Sequence, residues 1–425
     1  MQTAHYLILG GGIAGTTAAE TIRKLDSTGT IMVIDSEGEP LYSRVLLPHF
    51  VKGQIPEEQV YLRQRSWYDE QKIGRIEKVR ATSIDPVNRR VELNNNEVIE
   101  YNKLLISTGG VPNTWDIPGG SVPNAVPLWT LEDGRKMKYL LARGEEKHAV
   151  AVGGGFICTD LVPIFLAAGW KTTLVVREPH FFWGLLDEES SRIFETAMID
   201  AGLTILYNEE VVAVSRETHT TSLQLLSGRV ITADLIGLGI GVHADSSLFR
   251  SAGLNVKQGG VETNEYLETS MADIWAAGDT AVFFDVNAGI HHKVGNWTNS
   301  QEQGRTAGVN MVGKERQPYH LVTAYTVQLF GCSLSFVGDF ELTPDIETVV
   351  VGDTAKKERG RLLLYKNRLV GATLCNLPQL RGPLTQLIQD HVDLLSLRAT
   401  LEKGSYVCLL RTNPNTPASW RATNV

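Results

Sequence analysis

Residues 4–25 read AHYLILGGGIAGTTAAETIRKL, and the reading of this stretch decides the fold. A short apolar run, a glycine cluster and a helix of small residues follow one another directly. Gly10, Gly12 and Gly15 stand at the G-x-G-x-x-G spacing, with Ala14 among them. The first glycine makes a tight turn, the second lets backbone approach a pyrophosphate, and the third lets helix and strand pack closely. The N-terminus of the helix then offers its unpaired N–H groups and positive dipole end to the phosphate. A strand expected over residues 30–34 runs into Asp35, about twenty residues past the last glycine, where a carboxylate accepts from ribose hydroxyls. Strand, triplet, helix, strand and terminal acid in one unit predict a Rossmann-type nucleotide site.

The pattern comes twice. Residues 148–152, HAVAV, predict a strand, Gly153, Gly154 and Gly155 its turn, and an apolar helix runs to Ala168 before another strand at residues 173–176. Two such units imply two nucleotides held at once, which makes chemical sense if one is a flavin and the other brings it a hydride. The second unit departs from the first in two places. Cys158 stands where the third glycine belongs; that position serves packing, so binding should survive with a slightly wider crossing of helix and strand. No acid occupies the Val176 position, and Arg177 lies beside it, followed by Glu178. An arginine there pairs with a 2′-phosphate whereas an acid prefers the free hydroxyl of NAD, so the balance tips toward NADPH, with NADH the other choice.

The remaining chain supplies further candidates. Residues 38–54, GEPLYSRVLLPHFVKGQ, form a punctuated loop that brings the fixed charge of Arg44 beside the expected phosphate site. Residues 75–105 alternate apolar and polar positions, as a small antiparallel sheet does, and lead to a turn containing Thr108 and Gly109, where backbone can approach a ligand closely. Four prolines within residues 111–127 mark a crossing between domains. In TSMADIWAAGDT, residues 269–280, an apolar strand ends on Gly278 and Asp279, an acid suited to accept from a ribityl hydroxyl. Residues 297–312, starting at Trp297, read as a helix with small residues on one side, its N-terminus suited to stabilise a reduced flavin. Strand-like runs at 333–337, 348–351, 362–365 and 369–374, with a helix near 384–395, predict a separate α+β domain. The last dozen residues are polar, carry two prolines, and are expected to lie loose on the surface. The expected class is α/β, with two three-layer Rossmann-type domains and a C-terminal α+β domain. Its boundaries are 1–113 with 243–317 for the flavin, 114–242 for the nicotinamide nucleotide, and 318–425.

Composition narrows the function. At 425 residues the chain exceeds one ordinary core, and 43% hydrophobic with 21% charged residues is the balance of a globular protein. A net charge of −8 gives no sign of nucleic-acid or anionic-membrane binding. No apolar run is long enough to span a bilayer, and the opening residues lack a basic leader and cleavage site, so a cytoplasmic location is expected. Four cysteines, Cys158, Cys332, Cys375 and Cys408, are scattered without a C-x-x-C pair, which argues against a disulfide framework, a zinc site or a protein-ligated cluster. Each reads best as a small buried apolar residue.

Taken in order, GGGIAG with Asp35, LLISTGG, GGGFIC and TSMADIWAAGD resemble the motifs of the pyridine nucleotide–disulfide oxidoreductase superfamily over most of the chain. Within it, LYSRVLLPHFVKG, NWTNSQEQGRTAGVNMVG, TVQLFGCSLSFVGD and RGRLLLYKNRLVGATL resemble the rubredoxin/ferredoxin reductase branch and the flavin portion of nitrite reductases. The resemblance implies FAD contacts at Gly10, Gly12, Gly15, Asp35, Arg44, Thr108, Gly109 and Asp279. It implies nicotinamide-nucleotide contacts at Gly153, Gly155 and Arg177, although Trp183 replaces the second basic residue of the NADPH pattern, and Asp160 stands where many members have glutamate. Disulfide reductases of this superfamily carry a cysteine pair after the first unit, and its peroxidases and oxidases a single one. Residues 41–53 contain none, so no thiolate nucleophile is available there.

What remains is flavin-only work, with no side chain acting as acid or base: hydride in from NADPH or NADH, electrons out to a redox-protein acceptor such as rubredoxin or ferredoxin. Such partners are usually acidic, and Lys356, Lys357, Arg359, Arg361, Lys366 and Arg368 are the candidates for a basic docking patch. The alternatives are the electron-input subunit of a larger reductase, nitrite reductase being one example, and a FAD-binding scaffold whose nicotinamide site has decayed. A homo-oligomer is compatible with any of them.

Overall fold

Both faces of the first strand are covered, which is why its apolar run is unbroken. The computed structural model describes residues 2–143, 147–217, 220–286, 289–339 and 344–411. In it β1 (Gln2–Leu9) sends Tyr6 and Ile8 into one core and Leu7 and Leu9 into another. A strand buried on both faces belongs to a parallel sheet with layers on either side. From β1 the chain passes through the glycine turn into α1 (Ile13–Leu25) and returns as β2 (Ile31–Asp35).

The described residues fall into two units. One comprises the residues up to Asn113, Trp129–Gly134 and Val242–Leu321; the other comprises Thr114–Leu128, Arg135–Gly241 and the residues from Val322 on. In the first, strand order is Ile73–Glu77, β2, β1, Val98–Ile106, Arg90–Leu93, Ala81–Asp85, with Ile274–Ala276 also on Val98–Ile106. Ile73–Glu77, β2, β1, Val98–Ile106 and Ile274–Ala276 are parallel; Arg90–Leu93 and Ala81–Asp85 are antiparallel. The antiparallel sheet expected from residue 75 therefore begins only at Ala81. Ile73–Glu77 joins the parallel sheet as its edge, where one side is also wet, so alternation alone does not separate the two pairings. The register puts Leu9, Ile34, Ile106 and Ala276 level at the carboxyl end.

The second unit repeats the plan with β3 (His148–Val152), α2 (Phe156–Ala167) and β4 (Lys171–Val175). Its parallel sheet runs Leu203–Leu206, β4, β3, Leu235–Leu238, Ala125–Pro127. Beyond Val322 lies an antiparallel sheet in the order Ala324–Leu329, Cys332–Gly338, Arg368–Cys375, Arg359–Tyr365, Glu347–Val351. The helix expected near 384–395 spans Arg381–Gln389 instead; Pro383 is tolerated in its first turn, and His391, at φ +49°, has already left the helix. The α/β class with two Rossmann-type units and a C-terminal α+β portion is thus observed. The polar residues 414–425 lie outside the described residues.

Candidate nucleotide sites

Each glycine turn follows the carboxyl end of a strand with parallel neighbours on both sides, and open α/β sheets bind ligands at that end. The two turns are anchored to their neighbouring strands in the same way. Gly10 donates its N–H to Ile34 O and Gly153 to Val175 O, both at 2.9 Å. Both glycines take left-handed backbone, φ +110° and +125°, and a Cβ on either would strike a neighbouring carbonyl. Over Gly12 and over Gly155 the space where a Cβ would stand is open. No side chain caps α1 or α2. The Glu188–Asp200 and Trp297–Val312 helices, in contrast, are capped by Asp187 and Asn296, which accept from Ser190 N–H and Asn299 N–H. The two bare N-termini therefore leave first-turn N–H groups for an anion.

The first unit gathers its candidates around this turn. Asp35 accepts from Glu37 N–H at 3.0 Å and from Arg75 at 2.8 Å; burial pushes its carboxyl up, and these two donors pull it back in part. Ala14 and Ser300 are the near neighbours of Gly278, whose N–H donates to Gln303 Oε1 at 2.7 Å. Asp279 accepts from Ser300 at 3.0 Å; its carboxyl is raised by burial and held down in part by that bond and by the Arg44 charge. Burial lowers Lys293, against the nearby charge of Asp279. Thr108 and Thr280 share a hydroxyl–hydroxyl bond of 3.2 Å, and Thr280 also donates to Gly109 O. Arg44 is fixed between the Tyr42 and Trp129 rings, pairs with Glu37 at 2.5 Å and donates to Trp129 O. Trp297 stands half-buried at the start of its helix. Between α1 and that helix runs a groove of about 460 Å³, lined by Ile13, Thr17, Glu20, Arg63 and Arg305 among others.

In the second unit Gly153 and Gly155 form the turn, while Arg177 lies out from it, 74% exposed, with its Nε on Glu178 Oε1 at 2.6 Å. Cys158 is fully buried, and burial pushes its thiol up to about 12. Two members of the expected basic patch are unavailable for docking. Arg359 bridges Asp187 at 2.7 Å and Glu189 at 2.5 Å, and buried Arg361 donates to Leu185 O. Lys356, Lys357, Lys366 and Arg368 remain exposed.

Residues 4–304 match the family model described as pyridine nucleotide-disulphide oxidoreductase, so the chain belongs to that family. The family uses FAD with NAD(P)H, and its class, the NAD(P)H-dependent flavin oxidoreductases, is the class of this protein. The chain is 24% identical over 396 residues to the NAD(P)H nitrite reductase of Bacillus subtilis, covering 93% of itself but only 48% of that protein. It is 27% identical over 405 residues to the NADH-dependent phenylglyoxylate dehydrogenase subunit epsilon of Aromatoleum evansii, covering 94% of each. Among solved structures, a ferredoxin reductase from Rhodopseudomonas palustris superposes with a TM-score of 0.79 at 26% identity, over 88% of this chain and 91% of that one. Among the described residues no helix is long and apolar enough to cross a membrane.

The residues present fit a dinucleotide in each turn: bare first-turn N–H groups, open ground over Gly12 and Gly155, and in the first unit an acid at the strand end. Sequence reasoning missed Arg75, Trp129, Ser300 and Lys293. Their relation to Asp35, Arg44 and Asp279 arises only when distant strands and loops meet, and no local spacing announces it.

Proposed function

We propose that this chain is an NAD(P)H-dependent flavin reductase of the cytoplasm that passes electrons to a small redox protein such as a rubredoxin or ferredoxin. FAD is assigned to residues 1–113 with 243–317, the nicotinamide nucleotide to 114–242, and 318–425 to a C-terminal domain. When bound, FAD supplies the hydride acceptor and the step from two-electron to one-electron chemistry. The residues of the chain bind and orient. The α1 amides and Gly12 hold pyrophosphate, Asp35 takes ribose hydroxyls, and Asp279, set by Ser300, takes a ribityl hydroxyl. Arg44, Thr108 and Gly109, with Gly10, Ala14, Gly15, Gly278 and Trp297, complete that cradle. Gly153, Gly155 and the bare end of α2 hold the second pyrophosphate. The observation that carries this reading is the duplicated uncapped turn, anchored in each unit by the same bond from its first glycine to the neighbouring strand.

A second reading, the electron-input subunit of a larger reductase, is favoured by the full-length likeness to a dehydrogenase subunit. Anaerobic stopped-flow of the FAD-loaded protein against NADH and NADPH tests both. Rapid bleaching of flavin absorbance, followed by reoxidation on adding rubredoxin or ferredoxin, supports the reductase. Bleaching with no reoxidation by either moves the acceptor to a partner subunit. No bleaching by either nucleotide leaves a FAD-binding scaffold.

A further inference from the structure

The equivalence of the two turns fixes which residue of the second unit answers to Asp35. Gly10 and Gly153 bond Ile34 O and Val175 O; one residue on, Asp35 O accepts from Val79 N–H at 3.2 Å and Val176 O from Glu209 N–H at 3.1 Å. Val176 therefore stands in the place of Asp35, and it carries no polar atom. The corner is nevertheless not apolar. A Cβ on Gly11 would lie 3.0 Å from Asp35 Oδ2, and a Cβ on Gly154 would lie 2.9 Å from Val176 Cγ1 and 3.6 Å from Glu178 Oε2. Glu178, two residues beyond the strand-end position, thus reaches back to put a carboxylate oxygen over the middle glycine, where the first unit also has one. Its other oxygen holds Arg177 at 2.6 Å, and Glu178 is only 26% exposed against 74% for Arg177.

We infer that Glu178 is the residue that reads the adenosine ribose of the second nucleotide, and that it selects NADH over NADPH. Arg177 then acts as the counter-ion of Glu178, not as a receptor for a 2′-phosphate. The inference rests on the proposed nucleotide site of the second unit and goes beyond it in naming the form taken. A carboxylate at this corner accepts from a free 2′-hydroxyl and repels a 2′-phosphate. The preference that Arg177 alone suggests is thereby reversed.

Calorimetric titration of the FAD-loaded protein with ADP-ribose and with 2′-phospho-ADP-ribose separates the outcomes without relying on turnover. The expected result is ADP-ribose tighter by about tenfold or more, the scale of a hydrogen bond to a charged group. Glu178→Gln should then weaken ADP-ribose and largely remove the preference, whereas Arg177→Ala should keep it. Tighter binding of the 2′-phosphorylated ligand, lost in Arg177→Ala, would overturn the assignment while leaving the nucleotide site intact. Binding of neither ligand would overturn the site itself, and this inference with it.

Discussion

Cys158 occupies a position that glycine holds in the first unit, and the structure shows how that is accommodated. A Cβ on Gly15 would lie 1.9 Å from Gly10 O and 2.7 Å from Ser107 Oγ, so the turn's own backbone and the Ser107 side chain both fill that crossing. In the second unit Gly239 takes the place of Ser107: Ser107 N–H donates to Leu9 O and Gly239 N–H to Val152 O. A Cβ on Gly239 would lie 2.6 Å from Cys158 Sγ. Glycine and side chain have exchanged sides across the same gap. Gly239→Ser should therefore cost about 1–3 kcal/mol by overpacking. Cys158→Gly should cost about 2 kcal/mol through lost packing and a glycine inside α2. The double variant should recover at least about 1 kcal/mol of their sum, measured by urea unfolding, since contacting sites couple. Simple additivity would show that the two residues do not share the space. Cys158→Gly should leave the rate of flavin reduction by the nucleotide intact, because the position packs and does not touch phosphate. The triplets and Asp35 were legible because each lies within one βαβ stretch. The partner of Cys158 lies eighty-one residues on, at Gly239, and only the sheet brings them together.

At the scale of elements, small residues set the crossing of α1 with the Trp297–Val312 helix. A Cβ on Gly304 would fall 2.2 Å from Ala14 O, and one on Gly308 2.9 Å from Ala18 O. The stripe visible in the sequence is thus a helix contact, and it holds Gln303 against the Gly278 amide. Gly304→Ala should destabilise the protein by about 3 kcal/mol, and Gly308→Ala by less, with FAD lost more readily from the first on dialysis. In the second unit the Glu188–Asp200 helix is joined to the C-terminal sheet by Asp187 and Arg359. Burial alone would raise Asp187, but the Arg359 bond and the Ser190 cap outweigh it and hold its carboxyl at about 2. A depressed acid stabilises above its unfolded value and loses that contribution as pH falls toward its folded one. Asp187→Asn should thus cost about 1–2 kcal/mol at neutral pH, after allowance for partial exposure. The gap from wild type should close between about pH 4 and the folded value near 2. A gap independent of pH would show that the cap alone matters. Neither the bridge nor the loss of Arg359 from the docking patch is readable from a charge run, which does not reveal which of its members turn inward.

The whole chain divides its chemistry unequally between units. All four cysteines, Cys158, Cys332, Cys375 and Cys408, fall in the second unit, and the first, which carries Asp35, Arg44 and Asp279, has none. Burial pushes Cys158 and Cys375 up to about 12 and Cys332 to about 11, so none of these three offers a thiolate at neutral pH. The family name carries the word disulphide, yet residues 41–53 of this chain hold no cysteine. NADH or NADPH should therefore reduce the protein by two electrons per FAD and no more. The reduced form should lack the long-wavelength charge-transfer band of a thiolate beside flavin. Treating the reduced native protein with iodoacetamide should leave its reduction rate within about twofold of the untreated sample, since alkylation needs a thiolate. Mass analysis should find at most one label per chain, on half-buried Cys408. Loss of activity that tracks labelling of Cys158, Cys332 or Cys375 would place a thiol on the electron path and remove the case for flavin-only transfer.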